Sequence, residues 1–286
     1  MSIYRGPGGP GDAVNDSSSE AAITVIAKDA ALAAQAAAEL AATNAANAAA
    51  AICDLGARAE LCSILGSESH PFTRLLVQLL NSHGVKFGDC YFDEQEACSS
   101  STIMVTPDGE RSIINWQGPK SQRSITLPSD FKKYSMVMGD TYRLSMVKDC
   151  FTKAQELRIP TMLDVDNACE SIDDVPYADH IWFSHDSWKK LKTPLESLQA
   201  RWNNVTGITD GYRPVVWIGN DGIKKFCTPP SVDASNTLGA GDVFRARLAL
   251  GICLAESIDK AVYEACNTAC DHITGNGIKP VIGEKS

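Results

Sequence analysis

Nine residues near the C-terminus, Asn236-Thr237-Leu238-Gly239-Ala240-Gly241-Asp242-Val243-Phe244, combine small residues with a carboxylate in a way that suits phosphoryl chemistry. Two glycines around an alanine permit a tight turn whose successive backbone N–H groups point the same way. The apolar positions that follow, Val243, Leu248, Leu250 and Leu254, start a helix. Gly239, Ala240 and Gly241 therefore fall at a helix N-terminus, where backbone amides attract an anion. Larger side chains there would block its approach. Asp242 falls in the first turn beside that cradle. Its carboxylate can take a proton from a hydroxyl while the amides stabilise charge on a transferred phosphoryl group. The helix terminus favours its ionised form, which makes it a weak base, adequate when the transition state is loose and the proton moves late. The same pattern also suits an N-capping aspartate beside a glycine turn.

Such a cradle needs a regular scaffold, and from Ile52 onward short apolar runs alternate with amphipathic stretches. Residues 58–65 read as a half-buried strand. Leu75, Leu76, Leu79 and Leu80 share one face of a helix over 72–82, closed by His83-Gly84. Residues 101–105 and 111–116 flank Pro107-Asp108-Gly109 and read as a β-hairpin. Strands are expected at 135–138, 161–164, 180–184 and 215–218, with helices near 145–158 and 194–204. This alternation predicts an α/β fold with a parallel sheet between helices. Ligands of such sheets bind beyond the carboxyl ends of the strands. Asp164 and Asp166 fall at one such end, either facing the cleft or only closing the strand. Arg111 either reaches a substrate from the hairpin or lies in solvent.

The run N-T-L-G-A-G-D-V-F resembles the D-T-x-G-A-G-D-x-F signature of the ribokinase-like (PfkB) carbohydrate kinases. The resemblance covers residues 52–281 and includes Leu55-Gly56-Ala57 followed by a strand and Gly66, and the D-G-E-R hairpin at Asp108–Arg111. Leu163-Asp164-Val165-Asp166, Ala178-Asp179-His180 and Phe183-Ser184 are similar to a subgroup that includes sulfofructose kinases. The resemblance implies a ribokinase-like sheet with helices on both faces, and ATP-dependent phosphorylation of a sugar hydroxyl. It implies Asp242 as base, with Gly239, Ala240 and Gly241 as the anion hole. It also implies nucleotide contacts at Ser184, at the G-x-x-G turn of Gly219 and Gly222, and at Asn267 near the adenine. Substrate contacts are implied at Asn47, Arg111, Asp164 and Asp166. Magnesium would arrive with ATP, held by phosphates and water rather than by a protein cage.

The chain departs from that family at three places. Asn236 stands where an aspartate is usual, which puts a monovalent-cation site in doubt. The N-x-x-E magnesium motif is replaced by Ser184-His185-Asp186-Ser187, in which Asp186 either substitutes or caps a helix. The first strand, its sugar-binding aspartate and the lid have no counterpart in residues 1–41, and Asn47 alone remains of the G-G-x-x-x-N sugar loop. An incomplete lid predicts weak sugar affinity and leakage of the phosphoryl group to water.

Residues 1–51 are expected to form a separate low-complexity extension, and the resemblance implies that 52–286 is a kinase domain incomplete at its N-terminus. Gly6-Pro7-Gly8-Gly9-Pro10-Gly11 matches G-x-G-x-x-G only formally, because two prolines and a short lead exclude the strand and helix that motif requires. Alanine then fills 18 of the 31 positions from 21 to 51 and predicts a long helix with little apolar surface to bury, unless it associates with copies of itself. Tyr4 to Gly9 with the alanine tract resembles the opening of phage tail-fibre proteins, which implies attachment to a fibrous assembly. A disordered or helical extension without a role fits equally well.

A net charge of −9 argues against a nucleic-acid backbone or an anionic membrane as partner. The ten cysteines contain no C-x-x-C pair and the five histidines are scattered, so no structural metal is expected. Free thiols spread through apolar segments suggest a reducing, cytoplasmic setting. The leading expectation is a carbohydrate kinase, impaired to the extent that its lid is missing. A nucleotide-binding domain without useful turnover, or a virion-type structural fusion, are the alternatives.

Overall fold

The structure, a computed structural model, describes residues 44–95, 100–105, 111–116, 127–142, 144–165, 171–233 and 237–282. The tail-fibre-like opening, most of the alanine tract, Asp166 and Asn236 lie outside the described residues. The first described element is helix α1 (Asn44–Asp54), followed by β1 (Ile64–Gly66), α2 (Pro71–Ser82) and β2 (Tyr91–Asp93). A hairpin of β3 (Ser100–Val105) and β4 (Arg111–Trp116) comes next. The remainder is β5 (Val137–Asp140), α3 (Leu144–Glu156), β6 (Thr161–Val165), β7 (His180–Ser184), α4 (His185–Leu191), α5 (Leu195–Trp202), β8 (Val205–Thr209), β9 (Val215–Ile218), β10 (Lys224–Cys227), α6 (Ala240–Cys253) and α7 (Ile258–Ile273).

Six strands form one sheet in the order β10-β9-β8-β7-β6-β5. The four from β5 to β8 are parallel, and β9 and β10 each run antiparallel to their neighbour. Side chains alternate between the two faces of a strand. Leu163, Val165, Ile181 and Phe183 thus share a core with Phe151 of α3 and with Leu195 and Leu198 of α5. Met162 and Trp182 face the opposite layer, with Phe244 and Leu248 of α6 and Ala261, Val262 and Ala265 of α7. Both faces are covered, as expected of parallel strands that are apolar throughout.

Two sequence expectations need correction. The strand expected over 58–65 is confined to Ile64–Gly66, with one bridge between Glu60 and Lys86. Glu60 is instead held by the Tyr134 hydroxyl at 2.8 Å and Lys133 at 3.0 Å. The boundary expected at residues 51/52 falls inside α1. Ala46, Ala49 and Cys53 pack with Leu61, Leu65, Leu76 and Leu80, while Ala51 and Leu55 pack with Val243, Ala246 and Leu250 of α6. Small side chains let the two helices approach closely. This part of the alanine tract spends its apolar face inside the fold, not on a second copy.

At the turn from α6 to α7, Arg247 meets Glu256 through two hydrogen bonds of 3.0 and 3.3 Å, and Lys260 joins at 2.9 Å. Arg247 is 3% exposed. The Arg247 hydrogen bonds, with Lys260, hold the Glu256 carboxyl below its ordinary range.

Two outcomes follow for stability. A Cβ at Gly207 on β8 would come within 2.3 Å of the Trp182 ring, which is wholly buried. Gly207→Ala should therefore cost about 1–3 kcal/mol by overpacking, read as a lower denaturant midpoint; an unchanged midpoint would mean that the indole has another place to go. For Glu256, a depressed folded-state value means that the stabilisation is complete above the ordinary carboxylate range and is lost as pH falls through the folded value. Glu256→Gln should flatten the acid limb of a melting curve series taken from about pH 6 to about pH 3.

Candidate active site

The Gly-Ala-Gly turn forms the head of α6. Gly239 is its N-cap, with φ of 73° in the left-handed region that only glycine enters cheaply. The Gly239 carbonyl accepts the first helical hydrogen bond from Val243 N–H at 2.9 Å. Asp242 lies in the first turn, half-buried. Asn47 reaches it from α1: its Nδ2 donates to Asp242 Oδ2 at 3.0 Å across 195 residues of sequence. The helix spacing explains the meeting. Asn47 and Ala51 are i, i+4 neighbours on one face of α1, and Ala51 is packed on Val243 and Ala246 one turn below.

Below the turn sits Arg245, only 5% exposed. Its Nη1 donates to the Gly241 carbonyl at 3.1 Å, and its Nε pairs with Asp164 Oδ1. Asp164 is thus engaged by a buried arginine behind the turn, not by solvent in an open cleft. Its register partner Asp140 ends β5 and is buried. On the other side His272, near the end of α7, places Nε2 3.0 Å from the Leu238 carbonyl.

The ends of β6, β7 and β8 bring further residues to this edge of the sheet. Ser184 is the N-cap of α4; its hydroxyl accepts from Ser187 N–H at 3.3 Å and pairs with the Ser187 hydroxyl at 2.8 Å. Asp186 is exposed in the first turn of α4, so the cap there is the serine, not the aspartate. After β8, Asp210 accepts from Arg213 Nη1 and faces His185 Nδ1, both at 3.3 Å, around Gly211 with φ of 56°. Tyr212 is 83% exposed at the tip of this loop. Sequence reading passed over β8 and its loop; the signal was Val-Thr-Gly-Ile-Thr followed by Asp-Gly.

Gly219 and Gly222 do not join this group. Because β9 runs antiparallel to β8, the turn from β9 to β10 lies at the opposite edge of the sheet. Gly222 N–H bonds to the Gly219 carbonyl at 3.0 Å, an ordinary hairpin closure. Asn267 lies on α7 and lines a cleft of about 370 Å³ with Arg247, Glu264, Thr268 and Lys279, none of which belongs to the turn of Gly239 to Asp242. Arg111 begins β4 opposite Val105, and Asp166 lies outside the described residues.

Other reactive types are muted by burial. It pushes the thiols of Cys62 and Cys90 up to about 12 and that of Cys150 to about 11, so they stay protonated and pack. His180 on β7 is pushed down to about 4 by the same cause and is neutral. Among the described residues no three His, Cys, Asp or Glu side chains are placed to hold a metal ion.

The family model for pfkB family carbohydrate kinases matches residues 19–279, so the likeness begins earlier than residue 52. The fold is similar to a protein of Agrobacterium tumefaciens assigned as a ribokinase, at 25% identity and a TM-score of 0.73, over 83% of this chain and 79% of that one. It is also similar to the Arabidopsis thaliana ribokinase solved with ribose and ATP, at 18% identity and 0.68, over 83% of both chains. A fructokinase from Xylella fastidiosa with bound ATP matches at 15% identity and 0.62, over 82% of this chain and 86% of that one. With its glycine turn, first-turn carboxylate and helix-covered sheet, the chain belongs to the pfkB family of carbohydrate kinases.

Proposed function

We propose that this protein transfers the terminal phosphoryl group of ATP to a hydroxyl of a sugar-class acceptor, with Asp242 as the base. The observation that carries the reading is the Asn47–Asp242 hydrogen bond at the head of α6. An aspartate that merely capped the helix would turn its carboxylate onto the helix's own amides. Here Oδ2 is held by a side chain from another element, which fixes the plane of the carboxylate beside the glycine turn.

In this reading the acceptor hydroxyl gives its proton to Asp242 as its oxygen bonds to the terminal phosphorus. The bond from phosphorus to the bridging oxygen breaks and ADP leaves. The amides of the Gly239–Gly241 turn meet the negative charge on the transferred group. The helix terminus keeps Asp242 ionised until the proton arrives, consistent with late proton movement. Asn47 orients the base, which differs from a direct role in holding the sugar.

ATP and a sugar are supported as the substrate pair by the ribose and ATP bound to the Arabidopsis relative. The loop of Asp210, Gly211 and Arg213 takes the nucleotide-flanking role expected of Gly219 and Gly222, because it leaves the same sheet edge as Ser184. Among the described residues no three carboxylates are placed to cage a hard cation. With Asp164 engaged by Arg245, magnesium would be carried by the phosphates and water, where it offsets phosphate charge.

Coupled ADP release against a panel of sugars and nucleosides, with an acceptor-free control, tests the reading; release that no acceptor stimulates would defeat it. Asp242→Asn should lower acceptor-dependent turnover by about 10²–10⁴-fold while ATP still binds. Asn47→Ala should lower kcat about fivefold, the rate equivalent of one ~1 kcal/mol hydrogen bond, with little change in the KM for ATP. A larger rise in the KM for sugar than fall in kcat would instead return Asn47 to a sugar contact.

A further inference from the structure

The turn that precedes Asp242 exposes amides only if its carbonyls are held elsewhere, and two of them are. His272 Nε2 lies 3.0 Å from the Leu238 carbonyl. A carbonyl can only accept, so Nε2 carries the proton and donates. A planar trans peptide points its C=O and N–H in opposite directions. Fixing the Leu238 carbonyl toward α7 therefore turns the N–H of Gly239 away from α7. The Gly241 carbonyl is drawn down by Arg245 Nη1 at 3.1 Å, which turns the N–H of Asp242 the other way.

The contact between His272 and the turn is close. A Cβ at position 239 would lie 3.3 Å from His272 Nε2, a tight approach, at a residue whose φ of 73° already favours glycine. His272 is half-buried near the end of α7, 34 residues from Leu238. α7 is itself fixed by Ala261, Val262, Ala265 and Cys266 in the core against Phe244 and Leu248 of α6. The imidazole is thus mounted on a rigid element and can set the turn, not follow it.

We propose that His272 is a positioning residue for phosphoryl transfer: from α7 it holds the Leu238 carbonyl back so that the Gly239 amide stays aimed at the transferred group. This rests on the phosphotransfer reading above. Arg245 does the equivalent at the other end of the turn, but it also pairs with Asp164, so His272 is the cleaner place to test. The amide meets charge that grows as the phosphoryl group moves, so the effect belongs to the transition state more than to bound ATP.

The test compares His272→Ala with His272→Gln, whose side-chain amide can return an N–H near the Nε2 position. Three quantities are measured on the full chain: the affinity for ADP, the affinity for ADP with aluminium fluoride as a mimic of the transferring phosphoryl group, and the melting temperature. The expected result for His272→Ala is a loss of about 10–100-fold in affinity for the mimic, part of the ~10²–10³-fold worth of one such donor. ADP affinity should change less than about threefold, and kcat should fall in parallel with the mimic. His272→Gln should recover most of the loss. Equal affinity for the mimic in His272→Ala and wild type would overturn the proposal. So would equal losses in both variants that track a lower melting temperature, since that is the mark of a purely structural histidine. A wild type that binds neither ADP nor the mimic would overturn the phosphotransfer reading, and the role of His272 with it. Failure of His272 alone shows only in the variant.

Discussion

Two guanidinium groups removed from water set the terms on which helix α6 carries Asp242. Arg245 and Arg247 are 5% and 3% exposed, and an unpaired buried ion costs several kcal/mol. Each therefore claims a carboxylate, Asp164 for Arg245 and Glu256 for Arg247. Every residue from Val243 to Gly251 is buried, so α6 has no solvent face over those two and a half turns. Val243, Ala246 and Leu250 serve α1, Phe244 and Leu248 serve the sheet, and the arginines occupy the directions between. The head of such a helix cannot tilt without disturbing three layers, and Asp242 is held correspondingly rigid.

That arrangement changes the meaning of two residues. Asp164 has the position of a substrate ligand at the end of a parallel strand, yet its partner is the arginine behind the glycine turn. Asn47 has the position of a sugar-loop residue, yet its amide is spent on Asp242. In both cases the residue type was legible in the sequence, and for Asp164 the sheet edge as well, while the partner was not. A buried Arg245 reads in one dimension as an ordinary helical charge, and only packing reveals that it has no route to water. His272 gives still less warning, because its partner is a backbone carbonyl and no side-chain pattern marks it.

Strand direction accounts for the other difference. Gly219-Asn220-Asp221-Gly222 and Asp210-Gly211 are both Gly-containing turns after short β-branched runs. Local chemistry treats them alike. Which of them shares the sheet edge of Ser184 depends on β9 running against β8 while β8 runs with β7. Hydrophobic period reports that a run is a strand and which face it buries; it carries no sign for direction. The alanine tract fails differently. Alanine's helix propensity was readable over 44–51, but the helix continues to Asp54 and its small side chains are the means of close contact with α6. Low hydrophobic content suggested a helix with nothing to pack against, and close approach made up for what side-chain size lacked.

Local sequence pattern marked the elements and the residue types at one helix head. The period-2 and helical patterns marked a sheet between helices, the hairpin at 100–116 and the leucine face of α2. The glycine spacing before Val243 marked a helix head with a carboxylate in its first turn. These are local properties, set by backbone sterics and by the direction of side chains along one element. Tertiary structure alone decided which edge the loops share, that Asn47 finds Asp242 across 195 residues, and that Arg245 takes Asp164. It also set His272 against the turn. Those contacts join elements remote in sequence, and each depends on distances that arise only when α1, α6 and α7 have packed on the same sheet.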